Sequence, residues 1–121
     1  VAGLGIDNLI IETSTMEVPE GHDGSAKQIA AALMQAGLED QDKPTRHIKV
    51  TKPVHWSDGK VELTAVPDEL FKITFVIEYD HPLIGVQERT ITVTPENFLN
   101  EIAPARTFVL ERDLELLRQS G

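Results

Sequence analysis

The chain has 121 residues, 40% of them hydrophobic, no cysteine and a formal net charge of −9. That length is one domain, or two small units sharing an interface, with enough apolar content for a core. The composition excludes a disulfide framework and thiolate chemistry. It also excludes a membrane helix, which needs about 20 consecutive apolar residues, and nucleic acid as a main partner, which calls for a basic face.

The cations gather locally, at Lys49, Lys52 and Lys60 and again at Arg106 and Arg112. A local basic patch on an acidic chain suits a small anionic ligand. The missing cysteines fit a reducing compartment, so a cytoplasmic location is expected. The first residues already read as the inside of a domain, and the chain is taken as a piece of something longer.

Leu9-Ile10-Ile11, between Asn8 and Glu12, reads as a short buried strand. A polar loop from Met16 to Gly24 follows. Ser25 is a plausible N-cap for a helix to Ala36, with Ile29, Ala32, Leu33 and Ala36 as its buried face and Gly37 as its stop. The acidic stretch Glu39 to Thr45, broken by Pro44, is a candidate boundary, dividing the chain into residues 1–44 and 45–121.

After it the period changes to two. Ile48, Val50 and Val54 form one strand, Ser57-Asp58-Gly59 a turn, and Val61, Leu63 and Ala65 the return strand. Phe71, Ile73, Phe75, Ile77 and Tyr79 share one face of the clearest strand, and Ile91 and Val93 line a fourth. Thr94-Pro95-Glu96 starts a helix with a hydroxyl cap, an early Pro and an acid at the positive dipole end. Phe98, Leu99 and Ile102 are its buried stripe and Pro104 closes it. A last helix spans Glu111 to Gln119, with Leu110, Leu114 and Leu117 on one side. The predicted class is α+β, an antiparallel sheet with helices on one face.

Glu101 to Phe108 puts a helix stop, a cation, a hydroxyl and an apolar ring in consecutive positions. The residues after Pro104 therefore fall on a loop, where binding and catalytic groups concentrate. The four histidines, His22, His47, His55 and His81, show no close pairing, and no metal site is expected among them.

Four stretches, in this order, resemble the UDP-3-O-acyl-N-acetylglucosamine deacetylase family. They are Gly3-Leu4-Gly5-Ile6-Asp7-Asn8-Leu9-Ile10-Ile11-Glu12, Asp23-Gly24-Ser25-Ala26, Tyr79-Asp80-His81-Pro82, and Ala105-Arg106-Thr107-Phe108 with Arg112-Asp113 and Glu115 after it. The resemblance implies a zinc enzyme of lipid A synthesis in Gram-negative bacteria, built from two similar α+β domains packed face to face. This chain would cover the end of the first domain and the opening half of the second. The family's zinc ligands and general-base Glu would all lie outside these 121 residues, so the segment alone is expected to be inactive. Within the matched region, Glu20-Gly21-His22 replaces a more apolar family stretch.

By the same resemblance Thr107 would donate a hydrogen bond to the amide carbonyl oxygen, where charge develops during hydrolysis; the alternative is a local cap on its own loop. Arg106 would face the substrate's diphosphate, or form an ion pair with Glu101 or Glu111. Lys60 stands where the family has a substrate-contacting lysine, though exposed Lys is common beside a turn. Asp80 stands where the family usually has Asn, and a carboxylate there would repel a diphosphate. Phe108 would line the acyl passage and Tyr79 would contact sugar or nucleotide, unless both are core aromatics. Asp23 reads as a turn former. The expected partner is a small-molecule UDP-acyl-amino sugar, and a segment cut from a two-domain packing is expected to self-associate. The rival reading is a non-catalytic α+β ligand-binding or interaction domain that lacks the metal.

Overall fold

A computed structural model describes residues 1–14, 16 and 22–120 of the chain. The sequence expectations for Pro19, Glu20 and Gly21, and for the side chain of Leu117, lie outside the described residues. A 3-10 turn at Ala2–Leu4 opens the chain, and helix α1 spans Lys27–Ala36. Two hairpins follow, β1 Val54–Ser57 with β2 Glu62–Ala65 and β3 Lys72–Tyr79 with β4 Gly85–Thr92. Helix α2, Pro95–Asn97, runs into a π turn at Phe98–Ile102, and a 3-10 turn at Glu111–Asp113 leads into α3, Leu114–Ser120.

The α+β class stands. Among the described residues, however, the strands form two separate two-stranded antiparallel sheets rather than one. In the first, Val54 faces Ala65 and Ser57 faces Glu62. Its turn is built by Asp58, whose Oδ1 accepts from the amides of Lys60 (2.9 Å) and Val61 (2.8 Å). Gly59 takes a φ of 88°, which favours glycine. In the second, Lys72 pairs with Thr92 and Tyr79 with Gly85, and the facing hydroxyls of Thr74 and Thr90 meet at 2.8 Å. The 80–84 loop closes on the His81 carbonyl, which accepts from the amides of Ile84 and Gly85.

Three expectations need correction. Leu9-Ile10-Ile11 is not a strand: Ile10 is 88% exposed, and among the described residues the segment has no strand partner to take its backbone groups. The preceding residues are instead held by side chains, with Asn8 donating to Gln41 and the Thr45 hydroxyl donating to Asp7. Ile48 and Val50 likewise lie outside β1, which begins at Val54. On α1 the inward face is Ile29, Ala30 and Leu33, while Ala32 and Ala36 are exposed. An alanine-rich helix offers two nearly equivalent faces, and tertiary contact selects one.

Thr94 caps α2 as its residue type demands, its Oγ1 accepting the Asn97 amide at 3.1 Å. The helix then widens, the Ala103 amide reaching back five residues to the Phe98 carbonyl at 2.7 Å. Pro104, with no N–H to continue the ladder, ends it in a turn. Among the described residues the buried apolar ones are Leu4, Ala30 and Ala103, with Ile6, Leu33, Phe98 and Leu99 packed on them. This small core joins the N-terminal turn, α1 and the π turn that follows α2. Its closest approach is at Gly3, where a Cβ would run into the Phe98 ring.

Candidate active site

The core fixes the end of α2, and that sets where the 105–108 loop leaves the helix. Ala103 is 1% exposed, and Ala105 closes the turn by donating to the Ile102 carbonyl at 3.0 Å. The chain then runs antiparallel to the segment before α1. Ser25 and Arg106 form a β-bridge, and the Thr107 amide donates to the Gly24 carbonyl at 3.3 Å.

The Asp23-Gly24-Ser25 turn is held by one carboxylate oxygen. Asp23 Oδ1 accepts from the Ser25 amide at 3.1 Å and from the Ser25 hydroxyl at 2.7 Å. Ser25 is buried, and its Oγ also accepts the Lys27 amide at 3.3 Å. It thus serves the first turn of α1 from one position before the capping residue, Ala26. The Ser25 hydroxyl, then the Ser25 amide, hold the Asp23 carboxyl below its ordinary range, and the Arg106 charge adds a smaller lowering. Gly24 adopts a φ of 71°, and a Cβ placed on it would lie 3.3 Å from Thr107 Oγ1.

Across the loop, the rings of Phe108 and Tyr79 meet at a centroid distance of 5.6 Å and an interplanar angle of 59°. That tilted pair is a favourable aromatic geometry. Phe108 nevertheless stays 61% exposed, and Tyr79 is half-buried at the end of β3. Three of the four matched stretches therefore meet: the Asp23 turn, the end of β3, and the 105–108 loop. The first contributes Leu4 to the core beneath them.

Among the described residues the Thr107 hydroxyl makes no hydrogen bond, so it does not cap its own loop. Glu101 pairs with Arg89 instead of Arg106, and Arg106 forms no ion pair among the described residues. The exposed guanidinium and the open hydroxyl sit beside an accessible aromatic wall. Neither Tyr79 nor Phe108 is a buried core aromatic.

Lys60 and Asp80 are not drawn into this cluster. Lys60 lies on the β1–β2 turn, exposed, its amide held by Asp58. Asp80 follows β3, next to Tyr79, with its side chain exposed. His81 accepts the Leu83 amide on Nδ1 at 3.2 Å, a structural bond within the 80–84 loop. Among the described residues no three His, Asp or Glu side chains gather as a metal-binding group. Sequence reasoning gave Asp23 only a turn; its grip on both Ser25 donors was legible only in the Asp-Gly-Ser spelling.

Residues 1–121 match the model of the LpxC family, UDP-3-O-acyl N-acetylglycosamine deacetylase. Over the full 121 residues the chain is 41% identical to the UDP-3-O-acyl-N-acetylglucosamine deacetylase of Syntrophotalea carbinolica, covering 39% of that protein. The protein of the same name from Thermodesulfovibrio yellowstonii is 42% identical over 97% of the chain and 40% of its own length. That of Acinetobacter baumannii is 42% identical over 100% of the chain and 41% of its own length. The chain thus spans about two fifths of the curated relatives it matches. It belongs to the UDP-3-O-acyl N-acetylglycosamine deacetylase family.

Proposed function

We propose that this chain is the central portion of a cytoplasmic deacetylase that hydrolyses the N-acetyl group of UDP-3-O-acyl-N-acetylglucosamine in lipid A biosynthesis. The observation that carries the reading is the meeting of Gly24-Ser25 with Arg106-Thr107 and of Tyr79 with the adjacent Phe108. In the reaction water adds to the acetyl carbonyl carbon, the C–N bond breaks, the sugar nitrogen takes a proton, and acetate leaves. Negative charge grows on the carbonyl oxygen as the water adds. A fixed O–H beside it stabilises the transition state more than the ground state.

In this reading Thr107 donates that hydrogen bond. Arg106, exposed and in no ion pair among the described residues, faces the diphosphate, whose paired oxygens suit a planar guanidinium. Phe108 and Tyr79 form an apolar wall for the acyl chain and the sugar. Lys60 and Asp80 contact the substrate from the hairpin loops, the Asp80 carboxylate weakening the diphosphate side. The boundary near Pro44 divides residues 1–44 from 45–121 as parts of two α+β units.

The zinc implied by the family resemblance has no ligand set among the described residues, so its ligands and the activated water are assigned to the remainder of the protein. The segment's own share is positioning and oxygen stabilisation. The test is acetate release from UDP-3-O-acyl-N-acetylglucosamine by the full-length protein. Release with a free amine product is expected. Tight substrate binding with no release would favour the non-catalytic binding domain instead.

A further inference from the structure

We propose that Asp23 is a positioning residue for Thr107, acting through Ser25 and Gly24 on the 105–108 loop. The inference rests on the catalytic reading of Thr107, and it assigns the placing of that hydroxyl to a carboxylate more than eighty residues away in sequence.

The linkage is continuous. Asp23 Oδ1 takes both the amide and the hydroxyl of Ser25, which fixes the Ser25 backbone and side chain together. Ser25 is only 5% exposed and is bridged to Arg106. The Gly24 carbonyl, inside the same turn, receives the Thr107 amide. Two adjacent loop residues are thereby tied to two adjacent turn residues, and the direction of the Thr107 side chain follows.

Gly24 completes the device. Its φ of 71° lets the chain fold back, and its missing Cβ leaves the Thr107 hydroxyl uncovered. On the far side the loop is bounded by Pro104, which ends the π turn, and by Phe108 against Tyr79. Neither bound fixes the Thr107 rotamer. The Asp23 turn touches the residue itself, through the Gly24 carbonyl. The two Ser25 bonds favour the charged form of the carboxyl and hold it below its ordinary range.

The experiment uses the full-length protein with Asp23→Ala, Asp23→Asn, Thr107→Val and the Asp23→Ala/Thr107→Val pair. Two readouts are taken: amide hydrogen exchange across residues 105–108, referenced to β3 and β4, and kcat with KM. Asp23→Ala is expected to speed exchange at the Thr107 amide and to lower kcat about tenfold to a hundredfold, the scale for a misplaced catalytic group. KM should hardly move. Asp23→Asn should keep most of the activity, because its Oδ1 still accepts both Ser25 donors. In the Thr107→Val background, Asp23→Ala should cost little more, since the group it places is gone.

Unchanged exchange at 105–108, or losses that multiply in the double variant, would overturn the proposal. Should Asp23→Ala not fold, Ser25→Ala removes the hydroxyl link to Asp23, together with the Lys27 amide's acceptor, and leaves the Ser25 amide bond in place; its exchange at 105–108 is read in the same way. Faster exchange in Asp23→Ala together with a fully active Thr107→Val would instead overturn the catalytic reading and leave Asp23's hold on the loop standing.

Discussion

Expressed alone, the 121 residues are expected to self-associate rather than persist as a folded monomer. A self-contained protein of 13.4 kDa exposes about 6500 Å² by the usual scaling of surface with mass. This chain exposes 11239 Å². The excess is about 4700 Å², of which roughly 55–60% is apolar if it resembles ordinary protein surface. At about 25 cal/mol per Å² that is roughly 65–70 kcal/mol of unrealised hydrophobic burial, as an upper figure. Net stabilities are only about 5–15 kcal/mol. The exposed surface is also concentrated: Trp56 and Leu63 on the first hairpin, and Phe71 and Phe75 on and beside the second, are each more than half exposed. Sedimentation velocity across a concentration series, with calorimetry on the same samples, reads the outcome. Concentration-dependent association is expected. A monomer at the highest concentration, melting in one sharp cooperative transition, would refute the reasoning.

Three further outcomes follow from the fold. Gly3→Ala in the full-length protein should lower its denaturant midpoint by the equivalent of about 1–3 kcal/mol, the cost of overpacking, because the new methyl meets a Phe98 ring already seated on the core; an unchanged midpoint would show that the ring moves freely. The carboxyls of Asp23, Asp58 and Asp68 sit below their ordinary 3.8, chiefly through hydrogen bonds from Ser25, from the Val61 amide and from Lys72 respectively. Folded values below the unfolded ones mean stability that is full above about pH 4 and lost as pH falls through the folded values. Melting temperature should therefore decline only below about pH 4, by a modest amount since all three groups are exposed; a flat profile down to pH 3 would contradict this. Dialysed against zinc, the 121-residue chain should retain no stoichiometric metal, and a tight one-to-one complex would reverse the reading of its histidines.

Legibility followed the strength of local chemistry. The Thr94-Pro95-Glu96 start was readable because cap, fixed φ and dipole all act within one turn. The Ser57-Asp58-Gly59 turn and the 72–79 strand were readable for the same reason, each set by residues adjacent in sequence. Leu9 to Ile11 was misread because an apolar triplet carries β propensity but cannot name a partner, and none lies beside it among the described residues. The face of α1 was misread because Ala30 and Ala32 are chemically alike, and only the approach of Leu4 and Ala103 distinguishes them.

The site divided in the same way. Arg106, Thr107 and Phe108 were visible as an odd run after a helix stop, and the 23–26 and 79–82 stretches as matched motifs. Their meeting depends on one β-bridge and one ring pair across long sequence separations, which no local pattern encodes. Lys60 was singled out by position alone, and the fold leaves it on a separate hairpin.

In the proposed function the Thr107 hydroxyl stabilises the reacting carbonyl oxygen. Steady-state kinetics of the full-length protein with Thr107→Val and Thr107→Ser test it most directly. Thr107→Val should lower kcat about 10²–10³-fold, the usual cost of one oxyanion donor, with KM nearly unchanged. Thr107→Ser, which keeps the O–H, should retain most of the turnover. An unchanged kcat in Thr107→Val, or a loss carried by KM, would contradict the account.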